Sequence, residues 1–267
     1  MSTDKAPTIN ELFDLRGKNA IITGASGYLG GAMANALAEA GATVIVGSRD
    51  RERAEATAAE LPADHNQTHL GVALDNLDEA SIDSGFDDAV LRGGKVDIVI
   101  NNGHAADGHD LTNVSGEDFN QQLANATGYF LLARRLRDHT VQREVAGTVL
   151  MIGSMYGAVG SYPEAYEGIG PASPVHYHTL KGGIIQMTRH LAVYWAKDNV
   201  RVNCLSPGPF PSEKAPQEMV ERLKTKSPMG RMGLPHELKG AMLLLVSDAG
   251  SYMTGQNILV DGGWGAW

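Results

Sequence analysis

Seven short runs of apolar, mostly β-branched residues recur along this chain, and a helix-like stretch separates most neighbouring pairs. Few folds accommodate that alternation. The runs lie at 20–23, 43–46, 70–74, 96–100, 148–152, 200–205 and 258–260. Most are continuously apolar rather than alternating, which is the pattern of strands covered on both faces in a parallel sheet. Segments at 29–40, 51–61, 79–91, 117–139, 175–197 and 237–246 have the composition of crossover helices, and the first is rich in alanine and stopped by Gly41. The prediction is an α/β fold, a single doubly wound domain of about seven parallel strands with helices on both faces.

No linker, repeat or shift of composition divides the chain. Residues 1–14 read as an N-terminal extension and 15–267 as one domain. Two stretches break the rhythm, 155–174 with its Gly, Pro and Tyr, and 206–230, whose first part carries four prolines. Both follow a predicted strand, where open parallel sheets bind ligands, so they are the candidate substrate loops.

Charge and cysteine content narrow the function classes. Lys and Arg total 22 against 31 Asp and Glu, a net charge of −9, so the electrostatic footprint of a nucleic-acid or anionic-membrane binder is missing. Cys204 is the single cysteine, which excludes an intramolecular disulfide framework. The histidines lack metal-ligand spacing, and no metal site is expected. The first ten residues lack an apolar targeting core, and the longest apolar runs fall far short of about 18 residues, so a cytoplasmic chain without membrane contact is expected.

The excess of glycine, 32 of 267 residues, has a partial explanation in Gly24, Gly27 and Gly30. With Ser26, Tyr28 and Leu29 they form a turn between the first run and the first helix, where backbone N–H groups can approach a pyrophosphate. A tight βα connection would use the same glycines. The second run ends at Ser48 and Arg49, and Arg there suits a 2′-phosphate, although Arg49 also reads as the start of an arginine-rich helix with Arg51 and Arg53. Tyr177 and Lys181 stand one helical turn apart, and a phenol with a pKa of about 10 needs a nearby cation to trade protons near neutrality. Ser154 follows the fifth run and can present a hydroxyl at the same sheet edge. Asn125 is unusual inside a helix.

In this order the motifs resemble those of the short-chain dehydrogenase/reductase family, from about residue 15 to 263. The matching pieces are the glycine turn, Leu74-Asp75, Asn101-Asn102-Gly103, Asn125 with Gly128, Ser154, Tyr177 with Lys181, Pro207-Gly208, Thr254-Gly255-Gln256 and Val260-Asp261-Gly262-Gly263. The resemblance implies a Rossmann-type domain in which Tyr177 is the general acid/base and Lys181 lowers its pKa and binds the nicotinamide ribose. It further implies that Ser154 orients the substrate oxygen and Asn125 holds a water. Asp75 and Asn76 would lie at the adenine, Asn102 and Gly103 near the ribose, Pro207 and Gly208 along the nicotinamide, and Ser212 at the carboxamide. Arg49 then favours NADP(H) over NAD(H).

Three departures from the family pattern stand out. The glycine spacing is that of a longer branch, with Tyr28 where a glycine is usual. His104 follows Asn101-Asn102-Gly103 where the family has a small residue. Ser154 and Tyr177 are further apart than usual, and the extra segment carries Tyr156, Tyr162, Glu164, Tyr166 and Glu167, followed by His176 and His178. Tyr156, Tyr162 and His176 are therefore candidate substrate contacts, and the expected substrate is a polar, hydroxylated secondary alcohol or ketone such as a polyol or sugar acid. A 3-oxoacyl-thioester reductase is the alternative enzyme, and a basic patch at the active-site mouth would favour it. A non-catalytic cofactor-sensing regulator is the alternative of another class. The resemblance also implies a homodimer or homotetramer.

Overall fold

The computed structural model describes residues 5–105, 108–109, 111–170 and 173–266. Seven strands form one sheet among them: β1 (Asn19–Thr23), β2 (Thr43–Ser48), β3 (Leu70–Ala73), β4 (Ile98–Asn101), β5 (Gly147–Ile152), β6 (Val200–Pro207) and β7 (Asn257–Val260). Their order is β3-β2-β1-β4-β5-β6-β7 and every neighbouring pair is parallel. The chain starts at β1, builds outward to β3, then returns to the other side of β1 and builds to β7. This reversal leaves a crevice beyond the carboxyl ends of β1 and β4, where a doubly wound sheet binds ligands.

Because strand side chains alternate, each apolar run feeds two cores. Ala20 and Ile22 join Val44, Val46, Ile98 and Ile100 beneath α2 (Tyr28–Glu39) and α8 (Lys239–Val246). Ile21 joins Ile45, Val99 and Val149 on the other face, under α4 (Glu79–Gly93), α5 (Gly116–Gln142) and α6 (Val175–Trp195). Burial on both faces explains why these runs lack polar alternation. α3 (Arg51–Ala59) lies against β3 so closely that a Cβ on Gly71 would stand 2.2 Å from the Glu55 nitrogen.

Two helices depart from expectation. α1 (Ile9–Phe13) forms within the N-terminal extension, held by a capping box between Thr8 and Glu11. α7 (Gln217–Lys224) forms inside the stretch read as loop, where Pro216 ends the preceding turn and Val220 and Leu223 point one apolar face inward. The segment read as a helix over 237–246 instead opens as a 3-10 turn at Pro235–Leu238, with Glu237 accepting the Leu234 N–H at 2.8 Å, before α8 begins. A third core lies over the sheet edge. Met155, Ala165, Val220, Leu223, Met232 and Trp264 are buried together, so both substrate loops share packing with the carboxyl-terminal segment.

Candidate active site

The glycine turn is held in shape by the loop after β4. Gly24 has φ +69°, and a Cβ on Gly30 would stand 2.1 Å from the Gly24 oxygen, so α2 presses directly on the turn. The Asn102 side-chain amide donates to the Thr23 and Gly24 carbonyls at 2.9 and 3.2 Å, which makes it a tie for the turn as well as part of the cleft wall. Thr23 Oγ1 accepts the Gly103 N–H at 2.9 Å. Gly27 offers no side chain to cap α2, and the N–H groups of its first turn stay available to a phosphate. The Tyr28 side chain lies outside the cleft on the exposed surface, because as the first helical residue it turns away from the crevice.

Ser26, Ser48, Arg49, Asp75, Asn76 and Gly103 line one continuous groove, as the sequence reading requires. Arg53 joins them. Asp50 caps α3 by accepting the Arg53 N–H at 3.1 Å, so Arg49 lies just before the cap and Arg53 in the first turn, both on the rim. Arg51 is paired with Glu55 and Asp88, whereas among the described residues neither Arg49 nor Arg53 has a carboxylate partner. The available signal for Arg53 was its place in the arginine-rich start of the helix that follows the second run. Asp75 accepts the Leu77 N–H at 3.0 Å, and Asn76 donates to the Gly103 carbonyl at 2.6 Å while its Oδ1 is buried without a partner among the described residues. Gly128 was singled out only as part of a motif. A Cβ there would lie 1.9 Å from the Asn76 oxygen, so only glycine lets the β3 loop settle against α5. Open helix N–H groups, a glycine cradle and two unpaired guanidinium groups fit a phosphorylated dinucleotide.

At the other end of the crevice, β5 delivers Ser154 and α6 delivers Tyr177 and Lys181. Together with Leu29, Asn102, Pro207 and Gly208 they bound one recess. Lys181 is buried and its Nζ donates to the Ile152 carbonyl at 2.8 Å, 5.7 Å from the centre of the Tyr177 ring. Asn125 is buried in α5, where its Oδ1 accepts the Ala105 N–H at 2.9 Å and its Nδ2 donates to the Gln122 carbonyl at 2.9 Å. Burial pushes the Tyr177 phenol above its usual pKa, against an opposing hydrogen bond with Ser154. Lys181 is itself desolvated, which brings its pKa down to about 8, so its ammonium is still charged beside the phenol at pH 7. His104 faces the crevice beside Tyr177, and desolvation, then the Lys181 charge, push its imidazole down to about 4.

A second cavity opens from Ser154 and Tyr177 toward the substrate loops. Tyr156 lines it, stacked on His178 at 4.6 Å, with its hydroxyl 2.9 Å from that of Tyr166. Two other expected contacts fall elsewhere. Tyr162 is turned into the third core, edge-on to Trp264 at 5.3 Å and under the Lys226 ammonium. His176 is buried beside Phe119 at 6.1 Å, since it sits on the face of α6 packed against α5. Ser212 lines neither the recess nor the cavity, although Pro211 and Ala215 on either side of it border the cavity. Sequence reasoning missed Gln122, Phe210, Met219 and Leu223 in the cavity wall. The last two follow from the helical spacing of α7, but Phe210 has no local signal.

Comparison with known proteins agrees with this geometry. A family model described as "Enoyl-(Acyl carrier protein) reductase" matches residues 24–265. The chain is 33% identical over 254 residues to the 3-oxoacyl-(acyl-carrier-protein) reductase FabG of Aquifex aeolicus, covering 93% of this chain and 98% of that one. It belongs to the short-chain dehydrogenase/reductase family. Within that family it is also 31% identical over 271 residues to the NADP-dependent mannitol dehydrogenase of Alternaria alternata, covering 99% of this chain and 98% of that relative. A gluconate 5-dehydrogenase from Burkholderia cenocepacia, solved with NADP and tartrate, superposes with a TM-score of 0.87 at 27% identity, covering 97% of this chain and all of the other. As a member of the family the chain is an oxidoreductase that uses a nicotinamide nucleotide and acts on CH–OH groups.

Proposed function

We propose that the enzyme reversibly reduces a ketone on a small, hydroxylated substrate such as a polyol or sugar acid, with NADP(H) preferred. The nicotinamide supplies or accepts the hydride. Tyr177 donates a proton to the carbonyl oxygen during reduction and takes one from the alcohol during oxidation. Ser154 shares that oxygen and orients it, Lys181 supports the tyrosine with its charge, and Asn125 holds the loop at Ala105 in register with them. The observation that carries this reading is the convergence of Ser154, Tyr177 and Lys181 on one recess continuous with the glycine groove. Arg49 and Arg53, unpaired on the groove rim among the described residues, support the preference for the 2′-phosphate. Tyr177→Phe is expected to lower kcat by about 10²- to 10⁴-fold while NADPH still binds. Unchanged turnover would overturn the assignment and favour a cofactor-sensing role.

The apolar cavity wall of Met155, Phe210, Met219 and Leu223 favours a second reading, a 3-oxoacyl thioester. The cations around α7 argue for the first. Arg222, Lys224 and Lys226 are each paired with a glutamate, Glu218, Glu221 and Glu164 in turn, so of the cations there Lys214 is the one without an ion pair among the described residues, a small charge for a carrier protein to dock on. Faster reduction of an acetoacetyl thioester than of any keto sugar would reverse the choice. In keeping with the family, we place the enzyme in the cytoplasm as a homodimer or homotetramer. Among the described residues no helix is long and apolar enough to cross a membrane.

A further inference from the structure

Among the described residues of the loop after β4, His104 carries a bulky polar side chain that meets all parts of the crevice. It borders the cofactor groove, the recess with Lys181 and Pro207, and the substrate cavity with Ser154 and Tyr156. Its backbone is pinned from both sides. Gly103 donates to Thr23 Oγ1 at 2.9 Å and accepts from Asn76 at 2.6 Å, and Ala105 donates to Asn125 Oδ1 at 2.9 Å. The backbone that carries the ring is thus fixed, and the ring centre lies 6.0 Å from that of the Tyr177 ring.

Nothing among the described residues hydrogen-bonds either ring nitrogen. Desolvation on its inner side and then the Lys181 ammonium lower the imidazole pKa to about 4, while the ring stays open to the crevice and reachable by a ligand. A neutral imidazole has one donor and one acceptor, which matches a hydroxyl group better than a carboxylate or an ammonium group. Once nucleotide and substrate fill the crevice and displace water from the ring, a site that leaves such a group unmet favours the substrate that satisfies it over one that does not.

We infer that His104 is a specificity-determining residue that hydrogen-bonds a hydroxyl on the carbon next to the reacting carbon, selecting α-hydroxy ketones and vicinal diols over simple ketones and alcohols. The inference rests on the oxidoreductase reading above. With Tyr177 and Ser154 on the reacting oxygen and His104 on its neighbour, two adjacent oxygens are read at once. The remainder of the substrate extends along the apolar wall at Met155 and Phe210.

The test compares 1-hydroxybutan-2-one with butan-2-one under saturating NADPH. The wild type is expected to favour the hydroxy ketone in kcat/KM, and His104→Ala to reduce that preference by about tenfold or more, the loss typical of an unmet hydrogen bond in such a site. His104→Gln, which keeps a donor and an acceptor, is expected to restore part of it. An unchanged preference in His104→Ala, equal losses on both ketones, or a loss matched by weaker NADPH binding in a fluorescence titration would each overturn the inference. A wild type that reduces both ketones equally well overturns the inference alone. If NADPH binds and neither of these ketones nor any keto sugar or polyol is turned over, the oxidoreductase reading falls with it.

Discussion

Lys181 illustrates how a single side chain can cost stability and supply chemistry. It is buried, has one carbonyl for a hydrogen-bond partner, and its pKa is pulled from 10.5 down to about 8. A buried cation with a depressed pKa is held against the folded state at every pH below that value. Lys181→Met is therefore expected to raise stability against unfolding at pH 7, by about 3 kcal/mol at 1.36 kcal/mol per pKa unit, while turnover collapses. As pH rises from about 8 toward the unfolded value the penalty fades, so the stability gap between variant and wild type should narrow over that window. A gap independent of pH would contradict the assignment. Tyr177 has the opposite sign, since burial keeps its phenol protonated. Reduction is expected to hold its rate through neutral pH and oxidation to climb as alkali ionises the phenol, as initial rates in both directions would reveal. Ser154, Tyr177 and Lys181 were legible in the sequence because each belongs to a motif of defined order. The substrate contacts were not. Tyr162 and His176 are as aromatic and polar as Tyr156, and only tertiary packing decides which of the three faces the cavity.

Strands and helices were more readable than loops, for a physical reason. A strand buried on both faces must be apolar throughout, so runs such as 148–152 announce themselves and lie within an observed strand. α7 is only two turns long, polar overall and flanked by prolines, and its two buried residues make too short a pattern to rise above the loop composition around it. Yet α7 matters to the site, because Val220 and Leu223 join Met155 and Trp264 in the core beneath both substrate loops. Trp264 fixes that core from the carboxyl-terminal end. Trp264→Ala is expected to destabilise the protein by about 3 kcal/mol, within the usual range for emptying a large buried aromatic, and to raise KM for substrate more than for NADPH. Equal changes in both KM values would mean that the third core does not shape the substrate cavity. Gly128→Ala should act at the other end of the molecule. It forces α5 away from the Asn76 carbonyl and is expected to raise the Kd for either nucleotide, measured by titration, with a fall in thermal stability.

The molecule as a whole carries a net charge of −9, yet the groove rim presents two unpaired guanidinium groups. The overall field repels a polyanion and the local one attracts it, and salt screens both. NADPH affinity is expected to depend on ionic strength more steeply than NADH affinity, and the Arg49→Ala, Arg53→Ala double variant to lose that difference together with about tenfold or more in NADPH binding. Isothermal titration of both nucleotides at two salt concentrations checks this. The close seating of Gly128 on Asn76 has a bearing on redesign. α5 is one stiff rod that carries the contact with the β3 loop at one point and Asn125 and Gln122 a turn away, so whatever displaces that loop also shifts the reacting end. Among the described residues, no carboxylate pairs with Arg49 or Arg53. An engineer wishing to exchange one nucleotide for the other should rewrite the rim after β2 and leave the β3 loop alone, since only the first can be altered without detuning the catalyst.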